Sequence, residues 1–472
     1  MSEFRIEKDF LGEKPVPKDA YYGIQSLRAM ENFPTTGLKQ SSGITVAMAM
    51  VKKAAALANM DIGLMDKEIG TAIADAAQEI IDGKYHEQFI VDPIQGGAGT
   101  SINMNANEVI ANIALEKLGR EKGDYTFISP NDHVNMSQST NDAVPTCVCI
   151  STHMKLNKLL PVMEALCGTF KAKAKEFDSV IKMGRTHLQD AVPIRLGQEF
   201  DAYAKVLQRD INRISASRDA LNTVNMGATA VGTGLNAEQS YIDAVIKRLG
   251  EITGFPIRSS ESLVDGTQNT DGFLVVSAML KICMLNMSKV ASDLRLMASG
   301  PRCGLGEINI PPRQPGSSIM PGKVNPVMPE LINQVAFQVI GNDQTISLAS
   351  TNGQFELNVM EPVLVFNLIQ SIDIMTNAFK AYDDFCVKGI TANAETMREK
   401  VNNSVGILTA INPHIGYKAS SKIAWEAIET GQSVRDLCLR DKVLTEEELK
   451  VILDPHGMTN VGISGKELLK KK

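Results

Sequence analysis

The sequence lacks the patterns that mark disulfide-stabilised and metal-binding proteins. Its seven cysteines are an odd number and form no C-x-x-C pair, and Cys147, Cys149, Cys167 and Cys283 lie among apolar residues. This distribution predicts reduced thiols in a core. The six histidines form neither an H-E-x-x-H motif nor a close spacing with carboxylates, so we expect no metal site and no cofactor.

Long blocks of one charge and long uninterrupted apolar runs are also absent. The 48 basic and 54 acidic residues are interleaved, which gives no indication of a nucleic-acid partner. The N-terminus is charged and no apolar secretory segment follows it, so the cytoplasm is the expected location. Lys281 and Asp293 are among the polar side chains that interrupt the apolar segment 273–297, which predicts a buried helix and no membrane partner.

Most of the chain has the composition and periodicity of long helices. Alanine, methionine, leucine and charged residues dominate 44–60 and 69–81, and short strands are expected only near the termini. Longer helical segments, with breaks expected at Pro161, Gly353 and Pro362, cover 146–177, 196–221, 272–299 and 328–384. Long helices in series predict a bundle, and so apolar a central helix predicts an oligomer.

The length of 472 residues exceeds what one hydrophobic core usually supports. The polar cluster 139–142 has the composition of a loop that leads into a helix, and the long-helix pattern ends near 388–393. We therefore predict a mostly helical N-terminal domain over 1–141, a central long-helix bundle over 142–393, and a small helical domain over 394–472.

Four separate segments combine glycine, short hydroxyl side chains or asparagine with neighbouring helical sequence: 96–101, 137–142, 184–187 and 316–325. Hydroxyls and backbone N–H groups at helix starts suit carboxylates, although helix capping is the alternative interpretation of each segment. The last, G-S-S-I-M-P-G-K-V-N, contains proline and glycine too densely for a helix or a strand. It predicts a loop that closes over a site and excludes water.

This decapeptide, Gly316 to Asn325, resembles the signature of the aspartase/fumarase superfamily, whose members add or remove a group across the double bond of fumarate. The segments G-A-G-T-S at 97–101, S-Q-S-T-N-D at 137–142 and G-R-T-H-L-Q-D-A-V-P at 184–193 resemble its other active-site regions. The resemblance implies a mainly α, three-domain fold with a central long-helix bundle. It also implies a homotetramer whose active sites draw on three subunits and bind a small-molecule substrate.

Three stretches resemble the aspartase branch of the superfamily more than its fumarase branch. They are S-T-N-D at 139–142, P-V-M-P-E at 326–330 and N-V-M-E-P at 358–362. The resemblance implies reversible elimination of ammonia from L-aspartate to give fumarate, by removal of the Cβ proton through an enediolate. A class II fumarate hydratase is the alternative, followed by a non-catalytic protein of the same fold.

The resemblance also assigns roles within the loop. It implies that Ser317 is the general base, with backbone N–H groups of 316–320 as a nest for its oxyanion, whereas the residues alone do not rank Ser317 above Ser318. Lys323 would offset the charge of the α-carboxylate and Asn325 would add a directional donor.

The remaining predicted site residues bind substrate. Asn141, Thr186 and His187 are assigned to the amine and α-carboxylate side. Hydroxyl donors for the β-carboxylate are expected from Thr100, Ser139, Thr140 and Ser318. The predicted binding set is completed by Ser101, Ile319 and Met320.

Overall fold

The computed structural model describes residues 4–469, which fold mainly as helices, as predicted. The helices are α1 Ile24–Asn32, α2 Ser42–Asp61, α3 Lys67–Ile81, α4 Thr100–Lys117, α5 Thr140–Glu176, α6 Leu196–Ser217, α7 Gln239–Thr253, α8 Leu263–Gln268, α9 Asp271–Met297, α10 Val327–Ser350, α11 Glu361–Phe385, α12 Ala394–Asn403, α13 Leu408–Ile415, α14 Tyr417–Thr430, α15 Val434–Arg440, α16 Glu446–Ile452 and α17 Pro455–Thr459. The strands are β1 Phe4–Asp9, β2 Gly12–Pro17, β3 Ile181–Thr186, β4 Gln189–Arg195, β5 Thr223–Val224, β6 Arg258–Ser259, β7 Ile308–Asn309 and β8 Thr391–Ala392.

The strands form four two-stranded sheets, of which only β5–β6 is parallel. The expectation of strands only near the termini is wrong, because the β3–β4 hairpin lies in the middle of the chain. Its first strand shows no alternation of apolar and polar residues, since Lys182 is as buried as its neighbours Ile181 and Met183. A buried lysine conceals the period of two on which strand prediction depends.

The chain forms two compact units, and each is described by itself. The first contains Met1–Pro161, Asn212–Met284 and Phe337–Thr376, and the second contains Val162–Ile211, Leu285–Ala336 and Asn377–Lys472. The boundaries of the units fall within α5, α6, α9, α10 and α11. The three domains predicted from the sequence follow a different division and stay a prediction.

In the first unit, α2 packs on α3 and α7, and α4 packs on α3. Every residue of α4 from Ile102 to Leu115 is buried, including four asparagines and Glu108. A helix buried on all sides keeps polar residues only where each finds a partner. These side chains therefore connect α4 to the loops around it.

In the second unit, the β3–β4 hairpin packs against the small C-terminal helices. Ile181 and Met183 of β3 share one apolar cluster with Ile407 and Ile411. A Cβ atom on Gly406 would lie 2.4 Å from the carbonyl oxygen of Ala191 in β4, so this close approach requires glycine.

The proline predictions for the long helices are partly wrong. Pro161 does not interrupt α5, which continues to Glu176. A proline inside a helix removes one hydrogen bond and costs about 3 kcal/mol, and here it lies between buried Leu160 and Met163, whose packing offsets that cost. Pro362 is the second residue of α11, where a missing N–H costs nothing, and Gly353 lies in the connection between α10 and α11.

Two helices, Asp271–Met297 and Glu361–Gly389, are long and apolar enough to cross a membrane by length and composition. Core helices of soluble proteins pass the same test. Lys281 of α9 pairs with the buried Asp343 of α10, and less than half of the apolar stretch of α9 is buried within the single chain. The four cysteines expected in a core are buried, and none of them forms a disulfide within residues 4–469.

Glu108 of α4 anchors the start of α1. Its carboxylate accepts hydrogen bonds from the backbone N–H groups of Gly23, Gln25 and Ser26 at 2.8–3.0 Å and from the Ser26 hydroxyl at 2.5 Å. One carboxylate thus satisfies N–H groups that a helix start leaves without partners.

Replacement of Glu108 by glutamine should lower the free energy of unfolding by about 1–3 kcal/mol, because an amide NH2 cannot accept and leaves a buried N–H without a partner. Urea denaturation of the variant measures the change. Glu116→Gln, on the exposed end of the same helix, is the matched control. Equal unfolding of Glu108→Gln and wild type would contradict this account.

Candidate active site

The predicted site residues are divided between the two units. The first unit holds Thr100, Ser101, Ser139, Thr140 and Asn141. The second unit holds Thr186, His187, Ser317, Ser318, Ile319, Met320, Lys323 and Asn325.

The glycine-rich segment before α4 presents Thr100 at the start of that helix. Gly97, Ala98 and Gly99 all have positive φ angles, and Thr100 donates its N–H and its hydroxyl to the Gly97 carbonyl oxygen at 2.9 and 2.7 Å. A Cβ on Gly99 would lie 3.0 Å from Val144 of α5. Glycine therefore lets this loop approach the start of α5 closely.

The loop before α5 caps its own helix. The Ser139 hydroxyl accepts the N–H of Asn141 at 3.2 Å, and Asp142 accepts the N–H of Ser139 at 2.9 Å, as in a capping box. The hydroxyl of the buried Thr140 accepts from Asn103 at 3.2 Å. Because both hydroxyl oxygens act as acceptors, each O–H remains available as a donor.

Two hydrogen bonds fix the orientation of Asn141. Its side-chain Nδ2 donates to the backbone carbonyl oxygen of Ala230 at 2.7 Å, and its backbone carbonyl oxygen accepts from Nδ2 of Asn225 at 3.0 Å. Since Nδ2 is engaged, Oδ1 is the side-chain atom left to accept a hydrogen bond. A ligand beside Asn141 is therefore expected to present a donor.

A buried network beneath these loops was not predicted from the sequence. Lys52 is fully buried, and its ammonium donates to Asn135 and Gln138 at 2.9 Å each. The same Oδ1 of Asn135 also accepts from Asn103 at 3.1 Å and Asn107 at 3.2 Å. The sequence does indicate this network, because asparagine alternates with apolar residues at 103–107, N-M-N-A-N, in an otherwise apolar helix.

Burial shifts the acid–base behaviour of two groups in this region. It lowers the pKa of Lys52 to about 7, and the nearby Asp142 carboxylate acts in the opposite direction. Burial also raises the pKa of Asp142 to about 6, although its carboxylate accepts from the N–H groups of Gly227 and Thr229. The segment 137–142 thus contains a buried acid, Asp142, and contacts a buried base, Lys52.

In the second unit, Thr186 and His187 lie at the tip of the β3–β4 hairpin. Thr186 pairs with Gln189, and the two turn residues His187 and Leu188 have φ angles of 54° and 61°. Positive φ at both positions is typical of a type I′ turn, which usually contains Asn-Gly. Non-glycine residues in this conformation are strained, as is common at functional sites.

The 316–325 loop closes on itself. The N–H of Gly316 donates to the Lys323 carbonyl oxygen at 2.8 Å, and Asn325 Nδ2 donates to the Gly316 carbonyl oxygen at 3.0 Å. The Ser317 hydroxyl oxygen accepts backbone N–H groups from Ile319 at 3.1 Å and Met320 at 3.3 Å. Two N–H groups that converge on one oxygen form a small anion-stabilising nest.

The outer part of this loop is open to solvent. Ile319 and Met320 are 82% and 48% exposed, and Ser318 and Lys323 are also exposed. Among residues 4–469, no carboxylate lies within ion-pair distance of the Lys323 ammonium. The loop thus presents a cation, a hydroxyl and two apolar side chains that could cover a ligand.

Comparison with known proteins gives matches over nearly the whole chain. The profile of a family described as lyase matches residues 12–341, and one described as fumarase C C-terminus matches 407–460. The aspartate ammonia-lyase of Bacillus subtilis (strain 168) is 67% identical over 99% of both chains. That of Helicobacter pylori (strain ATCC 700392 / 26695) is 52% identical over 96% of this chain and 97% of the relative.

Solved structures give the same fold. A fumarate lyase:delta crystallin from Brucella melitensis bound to cobalt has a TM-score of 0.94 and 47% identity, over 96% of this chain and 99% of that one. A class II fumarase from Schistosoma mansoni has a TM-score of 0.92 and 34% identity, over 97% of this chain and 99% of that one.

The buried cation predicts a pH dependence of stability. Lys52 has a pKa of about 7 when folded, whereas an unfolded lysine titrates near about 10.4. Between these values the unfolded chain binds more protons, so the free energy of unfolding rises with pH. The Lys52→Met variant has no side chain that titrates at this position. The unfolding free energy of the wild type minus that of the variant should therefore increase by about 2 kcal/mol between about pH 7.5 and 9.5.

Urea denaturation across this pH range measures the difference. Lys53→Met is the matched control, since Lys53 is only half-buried and donates to Gln78 instead of the network. Parallel pH profiles for wild type and Lys52→Met would contradict the account.

Proposed function

The chain belongs to the aspartate ammonia-lyases, within the lyase family that also includes the class II fumarases, and from this premise we propose that it converts L-aspartate reversibly into fumarate and ammonia. The observation that carries the mechanism is the pair of N–H groups that converge on the Ser317 hydroxyl oxygen.

The difficult step is removal of the Cβ proton. The electron pair of the broken C–H bond moves into the β-carboxylate as an enediolate, then forms the C=C bond while the C–N bond breaks. A serine hydroxyl is a weak base unless its oxyanion is stabilised. The N–H groups of Ile319 and Met320 supply that stabilisation at Ser317, whereas Ser318 makes no such hydrogen bond among the described residues. This difference favours Ser317 as the base.

The growing charge on the β-carboxylate requires donors that bind the enediolate more tightly than the substrate. Ser139 and Thr140 suit this role because their oxygens already accept hydrogen bonds and their O–H groups are left to donate. The Thr100 hydroxyl donates to the Gly97 carbonyl oxygen. The Thr100 region would therefore bind the β-carboxylate after rotation of this hydroxyl, or through the N–H groups at the start of α4. Ser101 and Ser318 complete the proposed donors.

The ammonium side of the substrate needs an acceptor, and Asn141 Oδ1 is the atom that the Ala230 contact leaves free for it. Lys323 carries a cation without an ion-pair partner in the described chain, which suits the α-carboxylate. Thr186 and His187 are proposed to position this end of the substrate from the hairpin tip. Asn325 acts first as the clasp of the loop, since its Nδ2 is engaged by Gly316.

Loop closure would exclude water from the carbanion. Ile319 and Met320 are the apolar side chains that the loop would carry over the substrate. The amine of L-aspartate is already protonated, so ammonia leaves without a strong general acid. The β-carboxylate itself delocalises the charge, so the proposed reaction requires neither a metal nor a cofactor.

We propose that the chain acts as a cytoplasmic homotetramer whose active sites combine loops from three subunits. Large apolar side chains on the long helices support an oligomer: Phe337 and Leu348 of α10 are 64% and 57% exposed, and Leu285 of α9 is 50% exposed. Exposed apolar side chains along a central helix are typical of surfaces that other subunits cover.

Purified protein should raise the ultraviolet absorbance of fumarate when mixed with L-aspartate, and should release ammonia in equal amount. L-malate is the matched alternative substrate, because it differs only by a hydroxyl in place of the ammonium. Turnover of L-malate without L-aspartate would identify a fumarate hydratase. Activity on neither would favour a non-catalytic protein.

Ser317→Ala should lower kcat by at least about 100-fold with little change in KM, since the variant lacks the base but keeps the binding groups. Ser318→Ala is the matched control, and we expect a smaller effect that falls on binding of the β-carboxylate. Light scattering verifies that both variants keep the wild-type assembly. Near wild-type kcat in Ser317→Ala would remove Ser317 from the base role.

A further inference from the structure

The backbone carbonyl oxygen of Asn141, the second residue of α5, lacks its regular helical donor. In a regular α-helix this oxygen would accept from the N–H of the residue four positions further along the chain. That residue is Pro145, which has no N–H and whose ring crowds the carbonyl group four residues before it. The first turn of α5 is therefore open to a donor from another segment.

Asn225 supplies this donor. Its Nδ2 donates to the backbone carbonyl oxygen of Asn141 and to Thr267 Oγ1, each at 3.0 Å. Asn225 and Thr267 are both 2% exposed, so water does not compete for these hydrogen bonds. A backbone carbonyl can only accept, which fixes the orientation of the Asn225 amide.

The segment 225–230 forms a turn that also contacts the side chain of Asn141. The N–H of Ala228 donates to the backbone carbonyl oxygen of Asn225 at 2.9 Å, and the backbone carbonyl oxygen of Ala230 accepts from Asn141 Nδ2 at 2.7 Å. The first residue of the turn thus holds the backbone of Asn141, and the last residue holds its side chain.

Asp142 anchors the middle of the same turn. Its Oδ2 accepts the N–H groups of Gly227 and Thr229 at 3.1 and 3.0 Å. Gly227 and Thr229 have φ angles of 90° and 57°, and a Cβ on Gly227 would lie 2.4 Å from Ile242. Close packing and two charge-assisted hydrogen bonds therefore hold the turn in a conformation that few residues adopt.

The contact with Ala230 decides which atom of Asn141 faces a ligand. Because Nδ2 is engaged, Oδ1 is left to accept from the ammonium of L-aspartate. A reversed amide would present its NH2 group to the ammonium, which has three donors and no acceptor. Loss of the hold on Asn141 would thus weaken binding of the ammonium in particular.

We propose that Asn225 is a positioning residue for the reaction: it provides the donor that Pro145 lacks, and so holds Asn141 with its side-chain oxygen toward the ammonium of the substrate. This inference rests on the proposed function. Asn225 touches no reacting atom, and its effect passes through Asn141. Both residues belong to the first unit of one chain and are in direct contact, whichever subunits complete the site.

Thr267 provides a matched control, because it is the other acceptor of the same Asn225 amide. Thr267→Val removes that hydrogen bond with little change of shape and keeps the hydrogen bond from Asn225 to Asn141. A merely structural role predicts similar losses of activity for Asn225→Ala and Thr267→Val. A positioning role predicts that only Asn225→Ala impairs turnover of L-aspartate.

The experiment measures kcat/KM for L-aspartate and the inhibition constant of succinate, which has both carboxylates but no ammonium. Assays at about pH 8 keep Asp142, with a pKa of about 6, ionised. Asn225→Ala should lower kcat/KM by about 10- to 100-fold, the effect of one hydrogen bond to a charged group, and should change the inhibition constant of succinate by less than about threefold. Thr267→Val should change neither quantity by more than about threefold.

A double variant tests whether Asn225 acts through Asn141. In an Asn141→Ala background, Asn225→Ala should lower kcat/KM by less than about threefold, because the side chain that it positions is gone. A structural role predicts the same loss in both backgrounds. Equal losses for Asn225→Ala and Thr267→Val, equal losses in both backgrounds, or an equally large rise in the inhibition constant of succinate would overturn the proposal.

Asn225→Leu fills the same space without a donor, and it takes the place of Asn225→Ala, with the same expected results, if that variant does not fold. Turnover of L-aspartate by the wild type is measured first. Its absence would refute the proposed function and the positioning role together. An active wild type with an unchanged kcat/KM in the Asn225 variant would refute the positioning role alone.

Discussion

The site depends on how loops rich in glycine, serine and asparagine are held in place. Glycine, serine and asparagine bury little surface, so packing alone gives such loops no unique position. In the first unit, a buried network fixes the position of the loops. One side-chain oxygen of Asn135 accepts hydrogen bonds from Lys52, Asn103 and Asn107. Removal of Lys52 would leave the side-chain oxygen of Gln138 without its donor, and the cost of such unpaired buried groups favours this arrangement.

The second unit solves the same problem with charge. Its hairpin tip and the 316–325 loop lie at the surface. Buried ion pairs of Glu307 with Lys182 and Arg185 hold the hairpin, and a hydrogen bond from Asn325 to Gly316 closes the loop. Ion pairs of this kind contribute little net stability, because desolvation offsets most of the attraction. These ion pairs instead fix the orientation of the elements that they connect, since a guanidinium and a carboxylate pair in few geometries.

The difference between what the sequence predicts and what it does not has a physical basis. Helices such as α2 and α3 follow from local periodicity, and the loops before α4 and α5 and the 316–325 loop follow from residue types that favour helix starts and turns. The segment 184–187 was expected as a loop, but 184–186 belong to β3. The β3 strand escapes prediction because Lys182 is buried by an ion pair with Glu307, which lies 125 residues away in the sequence. The burial of Lys52 was not predicted for the same reason, since Asn135 and Gln138 contact it only in the folded chain. Partners distant in sequence leave no local pattern.

Capping and catalysis prove to be compatible interpretations of the same residues. Ser139 caps α5, and Ser317 accepts two N–H groups of its own loop. In each case the hydrogen bond that orders the backbone also occupies the acceptor side of the hydroxyl. The O–H that remains can donate to a carboxylate at Ser139, and at Ser317 the same N–H groups would stabilise the oxyanion left after the proton departs. A hydroxyl that stabilises the fold by accepting is therefore already oriented for chemistry that requires it to donate or to ionise.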